Sequence, residues 1–374
     1  HIPEYRLVAI NIDTGHLQAA QYPNVPVTRN SFGLFDSNLG WWGADSQHAY
    51  FVDLTRGYQK VNVVEFDTTT GNTKVLFEES SETHLNLMVN ADEFPTIMPL
   101  PETNELIWFS ERSGWAHLYL YDLNTGTLKN AITSGEWIVR NILSIDTERR
   151  EVFLHTMGRT PGRDPYYRDL VRVNIDTGEL TTIASSDDDH YVHSAHRADM
   201  ETMAFTTVRD IRNTRGISHD GEFAVATRSR VDSVPVSLLL DRNGKEILEL
   251  EKGDMTALFA RVSEHWQWPE PVQLKAADDK TDIYGVVWRP SDFSPNTSYP
   301  VISFGFNTPE LPRVPKGSFS NGTSCGIYYC VGAALAELGF IVVQIDARGT
   351  PFRSKAFQDK SYGWAEAAGC IDDH

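Results

Sequence analysis

The chain has 374 residues, with 33 Lys and Arg against 51 Asp and Glu, for a formal net charge of −18. Hydrophobic residues make up 41% and charged residues 22%, a balance that suits a folded globular protein and argues against wholesale disorder. The acidic excess argues against a nucleic-acid or anionic-membrane partner, because both surfaces repel a negative protein.

No run of 18 apolar residues occurs, so no transmembrane helix is expected. The chain opens on HIPEYRLVAI, without an initiator Met or a signal-peptide pattern, and is expected to be trimmed at this end. Three cysteines are too few for a disulfide framework; Cys325 and Cys330 could pair only if the local backbone brings them together, and read instead as ordinary buried thiols.

One pattern recurs through the first two thirds: an alternating apolar strand, an Asx/Thr/Gly turn and a second strand. It appears as LVAINIDTGHLQA (7–19), VVEFDTTTGNTKVLF (63–77), LYLYDLNTGTLKNAI (118–132), LVRVNIDTGELTTI (170–183) and SLLLDRNGKEILEL (237–250). The turn glycines are Gly15, Gly71, Gly126, Gly178 and Gly244. Asx with Gly between alternating apolar runs predicts hairpins, because Gly accepts positive φ at little steric cost. A second element, a polar turn followed by a short aromatic or β-branched strand, precedes most of these hairpins at 41–53, 101–113, 145–157 and 217–229, and 196–208 has the same form. Two such elements per period of roughly 50 residues predict four-stranded units that must stack or close radially. A β-propeller of about five blades is the expected fold, with a solenoid as its competitor.

After Pro269 the period stops. Residues 272–290 predict two strands around a turn, 298–306 a short buried strand, and 325–338 a helix ended by Gly339. The run FIVVQID (340–346) predicts a strand covered on both faces. This is a βαβ-like crossover of an α/β domain, which the chain leaves before the sheet is complete.

The chemistry-bearing residues are sparse. The string Gly322-Thr323-Ser324-Cys325-Gly326 has G-x-S-x-G spacing but follows no predicted strand, so it does not read as a nucleophile elbow, and no P-loop, dinucleotide fingerprint or CxxC occurs. Ser303 lacks the paired glycines of an elbow, and His374 has no partner in the sequence. His84, His117, His155, His190, His193, His196 and His219 read as structural or solvent-facing. His190, His193 and His196 beside Asp187, Asp188 and Asp189 read as a polar loop rather than a metal site. Asp278, Asp279, Asp372 and Asp373 read as solvated carboxylates, and neither metal nor cofactor is expected.

The segment FSERSGWAHLYLYDLNTG (109–126) resembles the propeller of the prolyl oligopeptidase family of serine peptidases, in its dipeptidyl peptidase IV-like branch. GRDPYYRDLVRVNIDTG (162–178) and TRSRVDSVPVSLLLD (227–241) are similar to later blades. YGVVWRPSDFSPNTSYPVI (284–302) and LAELGFIVVQIDARGTPFRSKAF (335–357) are similar to that family's hydrolase entry. The resemblance implies a propeller at 1–268, with about five of an expected eight blades, and the start of an α/β-hydrolase domain at 269–374, cut before the nucleophile. It implies that the catalytic Ser, Asp and His lie beyond His374. It also implies that the paired glutamates that bind a substrate amine precede this chain, with Glu78-Glu79 reading as a solvated blade edge instead.

The family's Tyr-(Ala/Gly)-Gly-Pro motif, whose Tyr hydroxyl supports the oxyanion, falls on Phe306-Asn307-Thr308-Pro309, counting from Pro300 forward or from Val314-Pro315-Lys316 back. A phenyl ring donates no hydrogen bond, so Phe306 and Asn307 are the oxyanion-position candidates. The expected parent is a peptidase that removes N-terminal dipeptides from peptides, exported to the periplasm or cell exterior, a homodimer at full length, with the propeller gating access. The alternatives are a non-catalytic peptide-binding propeller with a degenerate hydrolase domain, and an acyl-ester hydrolase on the same fold.

Overall fold

A computed structural model describes residues 4–26, 39–87, 96–192, 216–260, 265–304, 312, 314–318, 326–363 and 370–374. The chain divides into two compact units. The first comprises His1–Val89, Glu93–Ser134 and Asp176–Gly178; the second comprises Asn90–Asp92, Gly135–Ile175 and Glu179–His374.

The first unit begins with two small antiparallel ladders. β1 (Glu4–Tyr5) pairs with β4 (Val25–Pro26), and β2 (Val8–Ile10) with β3 (Leu17–Ala19). Two four-stranded antiparallel sheets follow: β5 (Gly40–Trp42), β6 (His48–Leu54), β7 (Lys60–Asp67) and β8 (Thr73–Ser80), then β9 (Met98–Leu100), β10 (Glu105–Ser110), β11 (His117–Asp122) and β12 (Thr127–Ala131). The second unit holds two more: β13 (Ile138–Asp146), β14 (Glu151–Met157), β15 (Arg168–Asn174) and β16 (Leu180–Ala184), then β17 (Asp189–Tyr191), β18 (Phe223–Ser229), β19 (Val236–Asp241) and β20 (Glu246–Lys252). In all four sheets the spatial order of the strands is their chain order.

The residue types explain the layering. The second and third strands are nearly continuous apolar runs, and Leu106, Ile107 and Trp108 of β10 and Leu118 and Leu120 of β11 are completely buried. Such strands need cover on both faces, and each fully buried side chain contributes about 1.5–3 kcal/mol. The fourth strands carry the polar residues, and every residue of β20 is exposed.

The five predicted hairpins all form, as β2–β3, β7–β8, β11–β12, β15–β16 and β19–β20. Four of them, β2–β3, β7–β8, β11–β12 and β19–β20, begin with a short polar side chain folding back on the turn. Asp67 Oδ1 accepts from the Thr69 and Thr70 amides at 2.8 and 3.1 Å, and Asp122 Oδ1 from the Asn124 and Thr125 amides at 2.7 and 3.3 Å. The closing glycine then takes a left-handed conformation, with φ of 74° at Gly126 and 86° at Gly244. Space adds to the constraint. A Cβ on Gly126 would meet the Leu76 carbonyl oxygen of β8 at 2.2 Å, and one on Gly244 would meet the Ile183 carbonyl oxygen of β16 at 2.3 Å. The polar-turn elements at 41–53, 101–113, 145–157 and 217–229 carry β6, β10, β14 and β18; the one at 196–208 lies outside the described residues.

In the second unit an arginine-carboxylate network joins the third and fourth sheets. Glu151 binds both Arg172 and Arg242, Arg242 reaches Glu222 at 2.9 Å, and Arg149 reaches Glu222 at 2.8 Å and Asp146 at 2.9 Å.

The last sheet is mixed. After α1 (Thr256–Phe259) come β21 (Glu270–Lys275), β22 (Asp282–Trp288), β23 (Val301–Ser303), α2 (Gly326–Glu337), β24 (Ile341–Asp346) and α3 (Lys355–Gln358), with spatial order β21-β22-β24-β23. β23 and β24 run parallel, joined across α2, as the βαβ pattern predicts. Gly339, with φ of 95°, ends the helix. Val286, Trp288, Tyr329, Ala336 and Val342 pack on one face of the sheet, and Ile283, Ile345 and Phe357 on the other.

Two expectations fail here. The strand at 298–306 shrinks to three described residues and is not buried: Val301 is 63% exposed, and among the described residues β23 lies at the sheet edge beside β24. Cys330 is exposed on α2 rather than buried; Cys325 lies outside the described residues.

Gly126→Ala and Gly244→Ala should each destabilise the chain by about 1–3 kcal/mol from the left-handed backbone alone, with more from the clash. Urea unfolding of each variant checks this, and a Gly15→Ala control, where nothing lies within 4 Å of the added methyl, should lose less.

Candidate functional site

The segment 314–318 lies inside the second unit and is held from three elements. The Val314 amide donates to Asp346 Oδ1 of β24 at 3.3 Å. Lys316 Nζ donates to Asp164 Oδ2, in the loop between β14 and β15, at 2.7 Å. The Ser318 amide donates to Ser229 Oγ of β18 at 3.2 Å. Val314 and Ser318 are completely buried and Lys316 is 3% exposed, so these bonds act with little competition from water. α2 joins the same contact, since Tyr329 Oη donates to the Val231 carbonyl at 3.1 Å.

Local sequence shapes the loop that meets this segment. Asp164 precedes Pro165, and its Oδ1 accepts from the Tyr166 amide at 2.9 Å, closing a tight turn. That turn presents the Tyr166 ring 4.8 Å from Lys316 Nζ and 6.4 Å, edge-on, from the Tyr284 ring. The Arg353 guanidinium lies 5.9 Å from Tyr166, 5.7 Å from Tyr284 and 4.7 Å from Phe357. Burial pushes the Tyr166 and Tyr167 phenols up, which keeps both protonated.

Phe306 and Asn307, the oxyanion-position candidates, lie outside the described residues. His374 does have a partner: its Nδ1 lies 3.1 Å from Ser303 Oγ on β23. The neighbouring Asp373 is engaged by other groups. It receives Arg348 Nη2 at 2.7 Å, Arg348 Nε at 3.0 Å and the Ala277 amide at 2.9 Å, and its side chain is fully buried. Arg348 also reaches Asp278 at 2.9 Å. The reading of Asp373 as a solvated carboxylate is therefore corrected: a guanidinium 25 residues away in sequence draws it inside.

Glu79 is corrected for the same reason. Glu78 stays near the surface, paired with Lys60. Glu79 is not a solvated edge: it accepts from Trp108 Nε1 at 2.8 Å, Ser110 Oγ at 2.5 Å and Arg112 Nη2 at 2.6 Å. Arg112 in turn lies 4.5 Å over the Tyr119 ring and donates to Tyr121 Oη at 2.8 Å. This carboxylate ties β8 to β10 and is already met by donors, so a substrate amine would have to displace an arginine to use it.

The histidines divide as their positions suggest. His117 is buried, with Nδ1 2.9 Å from Thr133 Oγ1. His155 is buried in β14, with Nδ1 3.0 Å from Asn141 Oδ1, and its Nε2 accepts from the Val192 amide at 3.1 Å. His190 Nε2 lies 2.8 Å from Ser186 Oγ, while His193 and His196 lie outside the described residues. Beside them run two buried ion pairs, Arg168–Asp189 and Arg163–Asp169. Among the described residues no three His, Cys, Asp or Glu side chains gather as a metal site.

Four-stranded meander sheets running into a mixed sheet with a parallel crossover define the class: a β-propeller followed by the opening of an α/β-hydrolase domain. The chain belongs to the dipeptidyl peptidase IV family, since residues 6–211 match its "Dipeptidyl peptidase IV (DPP IV) N-terminal region". Dipeptidyl peptidase 4 of Trichophyton equinum is 24% identical over 358 residues, covering 94% of this chain and 42% of the relative. Dipeptidyl peptidase 4 of Trichophyton rubrum is 24% identical over 263 residues, covering 69% of this chain and 30% of the relative. The crystal structure of Porphyromonas gingivalis dipeptidyl peptidase 4 shares the fold with a TM-score of 0.69 at 19% identity, over 98% of this chain and 46% of that one. The chain thus spans less than half the length of these relatives. Among the described residues no helix is long and apolar enough to cross a membrane.

The buried histidines set a pH dependence. Burial, with Arg168 and Arg140 nearby, holds His155 well below its ordinary value, and burial lowers His190 as well. Below about pH 6.5 the unfolded chain binds protons that the native chain does not, so stability falls as pH drops, by up to about 1.4 kcal/mol per pH unit for each such group. Urea unfolding at pH 7.5, 6.5 and 5.5 should show this slope, and a folded His155→Gln variant should show a shallower one.

Proposed function

We propose that this chain is the propeller and hydrolase-entry part of a serine peptidase that removes dipeptides from the N-terminus of peptides. The observation that carries the reading is the match of residues 6–211 to the dipeptidyl peptidase IV N-terminal region, followed by the parallel β23–α2–β24 crossover in the position where a hydrolase domain would begin. The proposed division is 1–268 for the propeller and 269–374 for the hydrolase start. It is supported by the change from meander sheets to a mixed sheet after β20. The propeller would gate peptide access, and the catalytic Ser, Asp and His would come from chain beyond His374. The acidic surface and the family suit an exported protein acting in the periplasm or outside the cell.

The test compares the 374-residue chain with the full-length protein. A serine-directed fluorophosphonate probe should label the full-length protein, which should hydrolyse Gly-Pro amides; the 374-residue chain should do neither. Labelling and turnover by the short chain, or none by the full-length protein, would overturn the proposal. At the oxyanion, Phe306→Tyr in the full-length protein should raise kcat, by up to ~10²-fold if the phenol restores a hydrogen-bond donor. An unchanged kcat would remove Phe306 from that role.

A further inference from the structure

Lys316 is an unusual side chain to find buried. An ammonium with 3% exposure costs several kcal/mol in desolvation unless its partner is well placed. Here the partner is Asp164, whose second oxygen is fixed by the Tyr166 amide, so the carboxylate is oriented before the lysine arrives. The Tyr166 ring covers the ammonium at 4.8 Å, adding a cation–π contact. The pair joins a blade loop to a segment that begins eight residues after Phe306 in sequence. The neighbouring bonds from Asp346 and Ser229 hold the same five residues from the central strand of the last sheet and from the fourth blade.

A gate that only filters substrate size needs no buried charge reaching from its loop into the hydrolase part. We propose that Asp164 and Lys316 form a positioning pair, through which the β14–β15 loop fixes segment 314–318 and so sets the geometry of the active site built beside it. The blade would then contribute to the chemical step as well as to access. Neither residue touches substrate in this scheme. The proposal rests on the peptidase reading for its consequence, but the anchoring itself belongs to the chain alone.

The experiment has two arms. In the 374-residue chain, Asp164→Asn keeps the acceptor for the Tyr166 amide and removes the charge facing Lys316. Hydrogen exchange read by mass spectrometry should speed up at 314–318 by at least tenfold, while Arg242→Met, which loosens the Glu151 network, should leave that segment unchanged. In the full-length protein, Asp164→Asn should lower kcat by tenfold or more for both a dipeptide amide and a ten-residue peptide, with KM within about twofold, since small misplacements of reacting groups cost up to ~10²-fold.

A pure gate would behave differently, changing only the longer peptide, and that outcome would overturn the proposal; so would an unchanged exchange rate at 314–318. If Asp164→Asn fails to fold, Asp164→Asn with Lys316→Met removes both charges of the pair and should restore stability. The same kcat loss is then expected, and a wild-type kcat in this folded double variant would sink the idea. A full-length wild type without peptidase activity would refute the peptidase reading instead, and the exchange arm would still decide whether the pair anchors the segment.

Discussion

Three of the four-stranded sheets depend on one local constraint, the turn between the third and fourth strands. An Asx side chain folds over the first amides of the turn, and a glycine closes it in a left-handed conformation. The turn fixes the register of the two strands, and register decides which side chains face inward. A slip of one residue in β11 would send Leu118 and Leu120, both fully buried, to the face now held by Tyr119 and Tyr121. The turn glycines also lie against the fourth strand of the preceding sheet, as Gly126 does at Leu76 and Gly244 at Ile183. The residue that permits the turn is thus also the one that permits the sheets to approach.

Polar groups then specify how elements meet. Glu79 ties β8 to β10 through Trp108, Ser110 and Arg112 in the first unit. In the second, Glu151 joins β15 to the β19–β20 turn through Arg172 and Arg242. These contacts share one chemistry, a carboxylate shared among planar, forked or indole N–H donors. Guanidinium groups suit this role because their donors are directional and their faces pack on rings. Arg112 uses both properties, on Glu79 and on Tyr119.

This explains what the sequence made legible. The hairpins were readable because Asx, Thr and Gly act within five residues of one another. The β23–α2–β24 crossover was readable because each element carries its own hydrophobic period. The fate of a charge was not. Glu79 finds donors 29 to 33 residues away, Asp373 a guanidinium 25 away, and Lys316 a carboxylate 152 away. In the sequence each looks like an ordinary surface charge, and only the fold reveals the partner. β23 failed in the other direction: an apolar run predicts a buried strand, while among the described residues it lies at the sheet edge with Val301 exposed. The site candidates Phe306 and Asn307 were placed by family resemblance, since no local pattern marks them.

The junction at 314–318 shows why charge can be preferred to hydrocarbon at such a place. Val314 already plugs the apolar layer under α2, with Trp288, Tyr329 and Val342. More hydrocarbon beside it would add stability without direction, because dispersion contacts tolerate sliding and rotation. An ammonium facing a carboxylate that is itself held by a backbone amide tolerates neither. Net stability gains little from such a pair, since desolvation cancels most of the attraction. What it confers is a single allowed placement for the backbone on either side.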